Sequence, residues 1–205
     1  MPEFKQVGYD LVNFGPVSRR QLHAHWFSAQ CSLTFMKVLE LFILRHGIAI
    51  EKSRRRFPQD HERPLTPEGK QKIRAIARRL KLWRVRPDLI LTSPLLRAVQ
   101  TAEIAGSFLA LKKKPQMTEH LAPNGDMKAF MAQLARAKPR PKRVLLVGHE
   151  PYLSRLISIL LTGKDDLGLE LKKGGLCKLR FEPARLSSRA TLEWLIAPKN
   201  ILHSR

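Results

Sequence analysis

Cysteine and acid are scarce in this sequence, and no long hydrophobic run occurs. The two cysteines, Cys31 and Cys177, are too few for a disulfide framework and suit a reduced compartment. The longest apolar stretches, residues 38–44 and 156–161, fall well short of the roughly 18 residues needed to cross a bilayer, so no membrane span is expected. Residues 1–20 mix charges, Gly, Pro and Asn and contain no continuous apolar segment. A secretory signal is therefore not expected, and the reading is a cytoplasmic protein.

The 17 Asp and Glu residues stand against 38 Lys and Arg, for a net charge of +21. No paired-carboxylate metal site announces itself, and His23, His25, His61 and His120 form no recognisable ligand set. Neither a metal nor another cofactor is expected. Excess positive charge admits acidic proteins, nucleic acid or anionic lipid as partners without choosing among them. A basic nucleic-acid-binding module is the competing non-enzyme reading, but the sequence offers no recognition helix or aromatic stacking motif, and nucleic acid is not expected as a partner.

What is present fits one ordinary core: 205 residues, 43% hydrophobic and 27% charged. Residues 1–35 show neither alternation nor a helical stripe and read as an N-terminal appendage, poorly ordered or the product of a start codon placed too early. The folded domain is read over residues 36–205.

Residues 38–44 are almost continuously apolar, the pattern of a central parallel strand covered on both faces. The run ends on Arg45-His46-Gly47. After a basic loop containing Arg54-Arg55-Arg56, Thr66 can cap a helix with Pro67 in its first turn; Ile73, Ile76, Ala77, Leu80 and Trp83 then recur at helical spacing. A second buried strand is predicted over 88–92, with a helix restarting at Ser93-Pro94 and running to about residue 109. Asn124-Gly125-Asp126 marks a turn before a helix over 127–137. A third buried strand, 143–147, ends at Gly148-His149, and a helix from about 152 to 161 stops at Gly163. Residues 175–181 and 190–197 alternate loosely, as two adjacent antiparallel strands would. Strands separated by helices imply an α/β fold, a three-layer α/β/α sandwich with a mostly parallel central sheet.

Ligands of open α/β sheets collect at the carboxyl ends of the strands, where three strands here deliver Arg45, His46, Arg97 and His149. Arginine forks and a helix N-terminus suit a phosphoryl group. A neutral imidazole can attack phosphorus when its other ring nitrogen is held as a donor. Arg63 is a further candidate substrate ligand.

Leu44-Arg45-His46-Gly47, Leu65-Thr66-Pro67-Glu68-Gly69, the run from Thr92-Ser93-Pro94 through Arg97 to Ala102, and Val147-Gly148-His149-Glu150-Pro151 resemble the successive motifs of the histidine phosphatase superfamily. Within it, the segment from Glu119 to Asp126 and the compact size are similar to the SixA-type phosphohistidine phosphatases. The resemblance implies a phosphoglycerate mutase-like fold, His46 as the phosphorylated nucleophile, and Arg45, Arg97 and His149 as the phosphate pocket. It also implies a partner protein bearing phosphohistidine, such as a phosphotransfer domain. Phosphomonoesterases of the superfamily carry an acidic proton donor where this chain has Ala122-Pro123. A released imidazole, with an unperturbed pKa near 6.5, needs that acid far less than an alkoxide does. The alternative is a phosphomonoesterase for a small or nucleotide-like substrate, drawing its acid from Glu119 or Asp126.

Overall fold

The computed structural model describes residues 39–53, 55–111, 113–181 and 189–203. The appendage read at 1–35 lies outside the described residues, as does Arg54 in the basic loop.

Strand β1 (Leu39–Arg45) lies inside a six-stranded sheet ordered β3-β2-β4-β1-β5-β6. Its parallel neighbour is β4 (Arg143–Gly148), followed outward by β2 (Leu89–Thr92) and the two-residue β3 (Gln116–Met117), all parallel. On the other side β5 (Leu176–Phe181) runs antiparallel to β1, and β6 (Thr191–Ile196) antiparallel to β5. The mostly parallel sheet and the terminal antiparallel pair are those predicted.

Side chains alternate across the sheet, so the continuous apolar runs divide between two cores. Leu39, Leu41 and Ile43 of β1 join Val144 and Leu146 of β4 in one core, against α3 (Met127–Arg136) and α4 (Tyr152–Thr162). Phe42 and Leu44 join Leu145 and Val147 in the other, against α1 (Pro67–Leu82), α2 (Leu96–Phe108) and α5 (Pro198–His203). Each face of the sheet thus carries its own helices, which makes the three layers.

Local chemistry sets the helix ends. Thr66 caps α1 by accepting a hydrogen bond from the Gly69 N–H at 2.9 Å, with Pro67 at the first position. Gly69 is needed for close approach: a Cβ there would stand 2.1 Å from the Ile48 carbonyl oxygen. Asp126 caps α3, accepting from the Lys128 and Ala129 N–H groups at 2.8 and 3.0 Å. Gly163 ends α4 with a left-handed φ of 81°.

Candidate active site

The carboxyl ends of β1, β2 and β4 lie side by side in the register that pairs Arg45 with Gly148 and Thr92 with Val147. His46 and His149, each the first residue beyond its strand, therefore become neighbours. Their ring centroids are 4.9 Å apart and inclined at 53°. Both rings are buried, with 6% and 2% exposure.

Nδ1 of His46 lies 2.7 Å from the Gly47 carbonyl oxygen. A carbonyl only accepts, so Nδ1 carries the proton and Nε2 keeps its lone pair. Burial pushes the His46 pKa down to about 4; the Gly47 carbonyl opposes this, while the charges of Arg97, Arg45 and Lys173 add to the lowering. The ring is a neutral base with one free nitrogen at physiological pH.

His149 is fixed from the other side. Its Nε2 lies 2.8 Å from Ser93 Oγ, which also accepts from the Leu95 N–H at 3.3 Å. The Ser93 hydroxyl can donate to Nε2, the arrangement that leaves the His149 proton on Nδ1. That Nδ1 is buried and has no protein partner. Burial, then the neighbouring His46 and Arg97, pushes the His149 pKa down to about 2.

Two arginines complete the rim. Arg45 donates from Nη1 to the Leu171 carbonyl at 2.6 Å, and its Nη1 stands 3.7 Å from the exposed Glu170 carboxylate. Arg97, 4% exposed on the first turn of α2, donates from Nη1 to the Asp60 carbonyl and from Nη2 to Asp60 Oδ2, both at 2.8 Å. The Nε atoms of both arginines are buried without protein partners. Together with His149 Nδ1 they form a set of unsatisfied donors, the complement of an oxyanion.

Arg63 turns to the same carboxylate as Arg97. Its Nε and Nη2 donate to Asp60 Oδ1 at 2.8 and 2.6 Å, and its Nη1 to the Ile50 carbonyl at 3.0 Å. Burial works against the Asp60 charge, but the hydrogen bonds from Arg97 and Arg63 outweigh it and hold the carboxyl below its usual range. The structure thus brings His46, His149, Arg45 and Arg97 together, and links Arg63 to them through Asp60.

Asp60 is one functional residue that sequence reading misses; it lies in a loop otherwise read as basic. Glu150 is another. It accepts from the Leu171 N–H at 2.7 Å and from Ser154 Oγ at 2.6 Å, and so holds the loop whose Leu171 carbonyl positions Arg45. Thr101 Oγ1 accepts from the Gly47 N–H at 3.1 Å and donates to the Arg97 carbonyl at 2.7 Å, tying the His46 and Arg97 motifs together. Membership of Glu150 and Thr101 in the quoted motifs was the available signal.

Glu119 is exposed in a short 3-10 turn, and Asp126 is the cap of α3. Among the described residues no group of three or more His, Cys, Asp or Glu side chains could hold a metal ion, and no helix is long and apolar enough to cross a membrane. Cys177 is a buried free thiol in β5, and burial pushes its pKa up to about 12.

The sequence profile of the histidine phosphatase superfamily (branch 1) matches residues 41–123. An uncharacterized protein of Picosynechococcus sp. (strain PCC 7002) is 39% identical over 167 residues, covering 80% of this chain and 99% of the relative. The phosphohistidine phosphatase SixA of Escherichia coli K12 is 34% identical over 127 residues, covering 62% of this chain and 76% of its own. A solved structure of the protein histidine phosphatase SixA complexed with tungstate superimposes with a TM-score of 0.70 at 29% identity, over 80% of this chain and 99% of that one. The fold is the phosphoglycerate mutase-like sandwich that the resemblance implies.

Proposed function

The chain belongs to the histidine phosphatase superfamily, and from that we propose that it is a phosphohistidine phosphatase working through a phospho-His46 intermediate. The observation that carries the reading is the locked ring of His46, whose Nδ1 is held by the Gly47 carbonyl at 2.7 Å, which leaves Nε2 free to attack. Nε2 forms a bond to phosphorus as the P–N bond of the substrate phosphohistidine breaks. The departing imidazole leaves as the neutral ring, its other nitrogen already protonated. Water then attacks phospho-His46, releasing phosphate and restoring Nε2.

Arg45, Arg97 and the Nδ1–H of His149 donate to the equatorial oxygens as charge shifts onto them. Phosphoryl transfer asks mainly for position and charge stabilisation, and here guanidinium groups supply both, so no step draws on a metal ion. Arg63 acts more distantly, sharing Asp60 with Arg97. Tungstate, the ligand in the SixA relative, is a tetrahedral oxyanion of the kind these donors would surround.

The choice of phosphoramidate over phosphomonoester rests on the acids. Asp60, Asp126 and Glu170 are all held below the ordinary carboxylate range, Asp60 by the arginines against the opposing effect of burial, Asp126 by the helix cap and Glu170 by Lys172. Asp126 is thus committed to its helix cap, and the place where phosphomonoesterases of the superfamily carry a proton donor holds Ala122-Pro123, which an alkoxide leaving group would need replaced and an imidazole does not. The partner in this reading is a protein bearing phosphohistidine, such as a phosphotransfer domain, met in the reduced cytoplasm.

The test compares turnover of the purified chain on a histidine-phosphorylated protein domain and on phosphomonoesters. A preference for the phosphohistidine protein of a hundredfold or more is expected. Preference for the monoesters would establish the phosphomonoesterase alternative, and Glu119→Gln and Asp126→Asn would then locate its acid.

A further inference from the structure

The catalytic residues occupy the carboxyl ends of the strands and leave the opposite end of the sheet unassigned. A cleft of about 1690 Å³ runs there, across the turns that enter β2, β3 and β4. Nine of its lining side chains are Lys or Arg, and one, Asp88, is acidic.

Part of this charge has a local explanation. Lys81 and Arg136 stand in the last turns of α1 and α3, where a cation complements the helix dipole. Five of the others lie in turns, Arg84 and Arg86 before β2, Lys113 before β3, Lys138 and Lys142 before β4, all exposed; Arg140 stands in the same turn as Lys138, and Arg143 opens β4. Among the described residues none of these five side chains has an ion-pair partner. Asp88 faces a different cation, with its Oδ1 3.7 Å from Arg143 Nη2, while its Oδ2 accepts from the main-chain N–H groups of Lys142 and Arg143 at 2.9 Å each. Three turns far apart in sequence therefore meet as a surface of nearly one sign.

A smaller pocket of about 420 Å³ adjoins the cleft, sharing Arg84, Val85 and Arg143 with it. Its walls include Phe42, Trp83 and Trp194. The two tryptophans meet edge to face with ring centroids 6.1 Å apart, and both are half-buried, so each keeps part of its surface open. The acid of this pocket, Glu40, is paired with Lys178.

We propose that the cleft and its aromatic annex bind a single-stranded nucleic acid, with the phosphate backbone along the cationic turns and a base against Trp83 and Trp194. Arginine forks match phosphate oxygens, and indole faces stack any base, which is the combination that holds single strands without sequence preference. An anionic membrane is flat and would touch only the rim of a concave groove. The cleft is separate from the His46 site: β4 leads from Arg143 in the cleft to Gly148 at the catalytic rim, about 17 Å of strand at the usual rise. The carboxylates of an acidic peptide could use the cations but are not themselves a planar partner for the tryptophans, whereas every nucleotide brings both a phosphate and a base.

The experiment measures fluorescence anisotropy of a labelled twelve-nucleotide oligouridylate with the full-length chain. Binding is expected to weaken about a hundredfold between 50 and 200 mM salt, as for neutralisation of about five phosphates on a single strand. Lys138→Glu with Lys142→Glu should weaken it at least tenfold, and so should Arg84→Glu with Arg86→Glu, a second variant in a different turn. Trp83→Ala should reduce affinity and leave the salt slope unchanged. All three variants should hydrolyse a small phosphoramidate at the rate of the unaltered chain, which reports intact folding independently of binding. The proposal is overturned if both charge-reversed variants bind the strand as tightly as the unaltered chain. It is equally overturned if a polyglutamate peptide or anionic vesicles bind more tightly than the strand through the same residues.

Discussion

Arg97 gives two hydrogen bonds to Asp60, one to its carbonyl and one to its carboxylate, each 2.8 Å long. Because Arg97 is 4% exposed, this pair fixes the direction of a guanidinium that meets phosphate in the proposed mechanism, while its buried Nε has no protein partner. Asp60 is a positioning residue in this account. Asp60→Asn keeps the carbonyl contact but removes the charge, and should lower kcat/KM about tenfold, or about 1.4 kcal/mol of transition-state stabilisation. The pair also couples to stability with a definite sign. The folded Asp60 carboxyl sits below its unfolded pKa, so its contribution is present above pH 3.8 and is lost as pH falls through the folded value. Urea midpoints of the two proteins should therefore differ at pH 7 and converge toward pH 3.

The burial of His46 predicts a pH profile. With its pKa at about 4, the ring stays unprotonated through neutral and mildly acidic solution. kcat/KM on a small phosphoramidate whose own ionisation is corrected for should stay flat from pH 7.5 to about 5 and fall only toward pH 4. A fall centred near 6.5 would mean that His46 titrates as an exposed imidazole.

Stability should follow the same histidines. Burial lowers both folded pKa values, to about 4 and about 2, so the unfolded chain binds protons that the folded chain refuses once pH drops below 6.5. The contribution is fully present above pH 6.5 and is lost on descending through the folded values. Between pH 7.5 and 5.5, chemical denaturation should show the unaltered chain losing more stability than His46→Gln does.

The Ser93 hydroxyl is 2.8 Å from His149 Nε2 and fully buried. Ser93→Ala frees the imidazole to carry its proton on either nitrogen. A loss of about 1 kcal/mol of stability is expected. kcat should fall about tenfold, with a much smaller change in KM, because the Nδ1–H acts on charge that develops in the transition state.

Much of this site was legible because its motifs pair chemistry with punctuation. A buried strand ends on Arg45-His46, another leads into Ser93-Pro94, and a third ends on Gly148-His149. Their neighbouring positions follow from parallel pairing alone. Asp60 was not legible, since its partners Arg63 and Arg97 stand 3 and 37 residues away and no periodicity links them. Strand β3 has only two residues, too short for any alternation, and α5 has six, the first of them a proline. The cationic cleft escaped for the same reason: its turns are separated in sequence by whole helices, and only the sheet brings them together.

Gly69 shows how one motif residue serves packing. A methyl group there would lie 2.1 Å from the Ile48 carbonyl oxygen, a main-chain atom that cannot move without shifting the loop behind His46. Gly69→Ala should cost about 1–3 kcal/mol in denaturant unfolding despite the better helix propensity of alanine. It should also reduce turnover by displacing Gly47.

The most direct test of the central claim is rapid quenching of turnover on a histidine protein substrate labelled with radioactive phosphate, followed by peptide mapping of the enzyme under conditions that preserve phosphohistidine. The account predicts transient label on the peptide containing His46, discharged as inorganic phosphate at the rate of turnover and absent in His46→Ala, which should be inactive. Label on any other residue, or steady hydrolysis by His46→Ala, would contradict it.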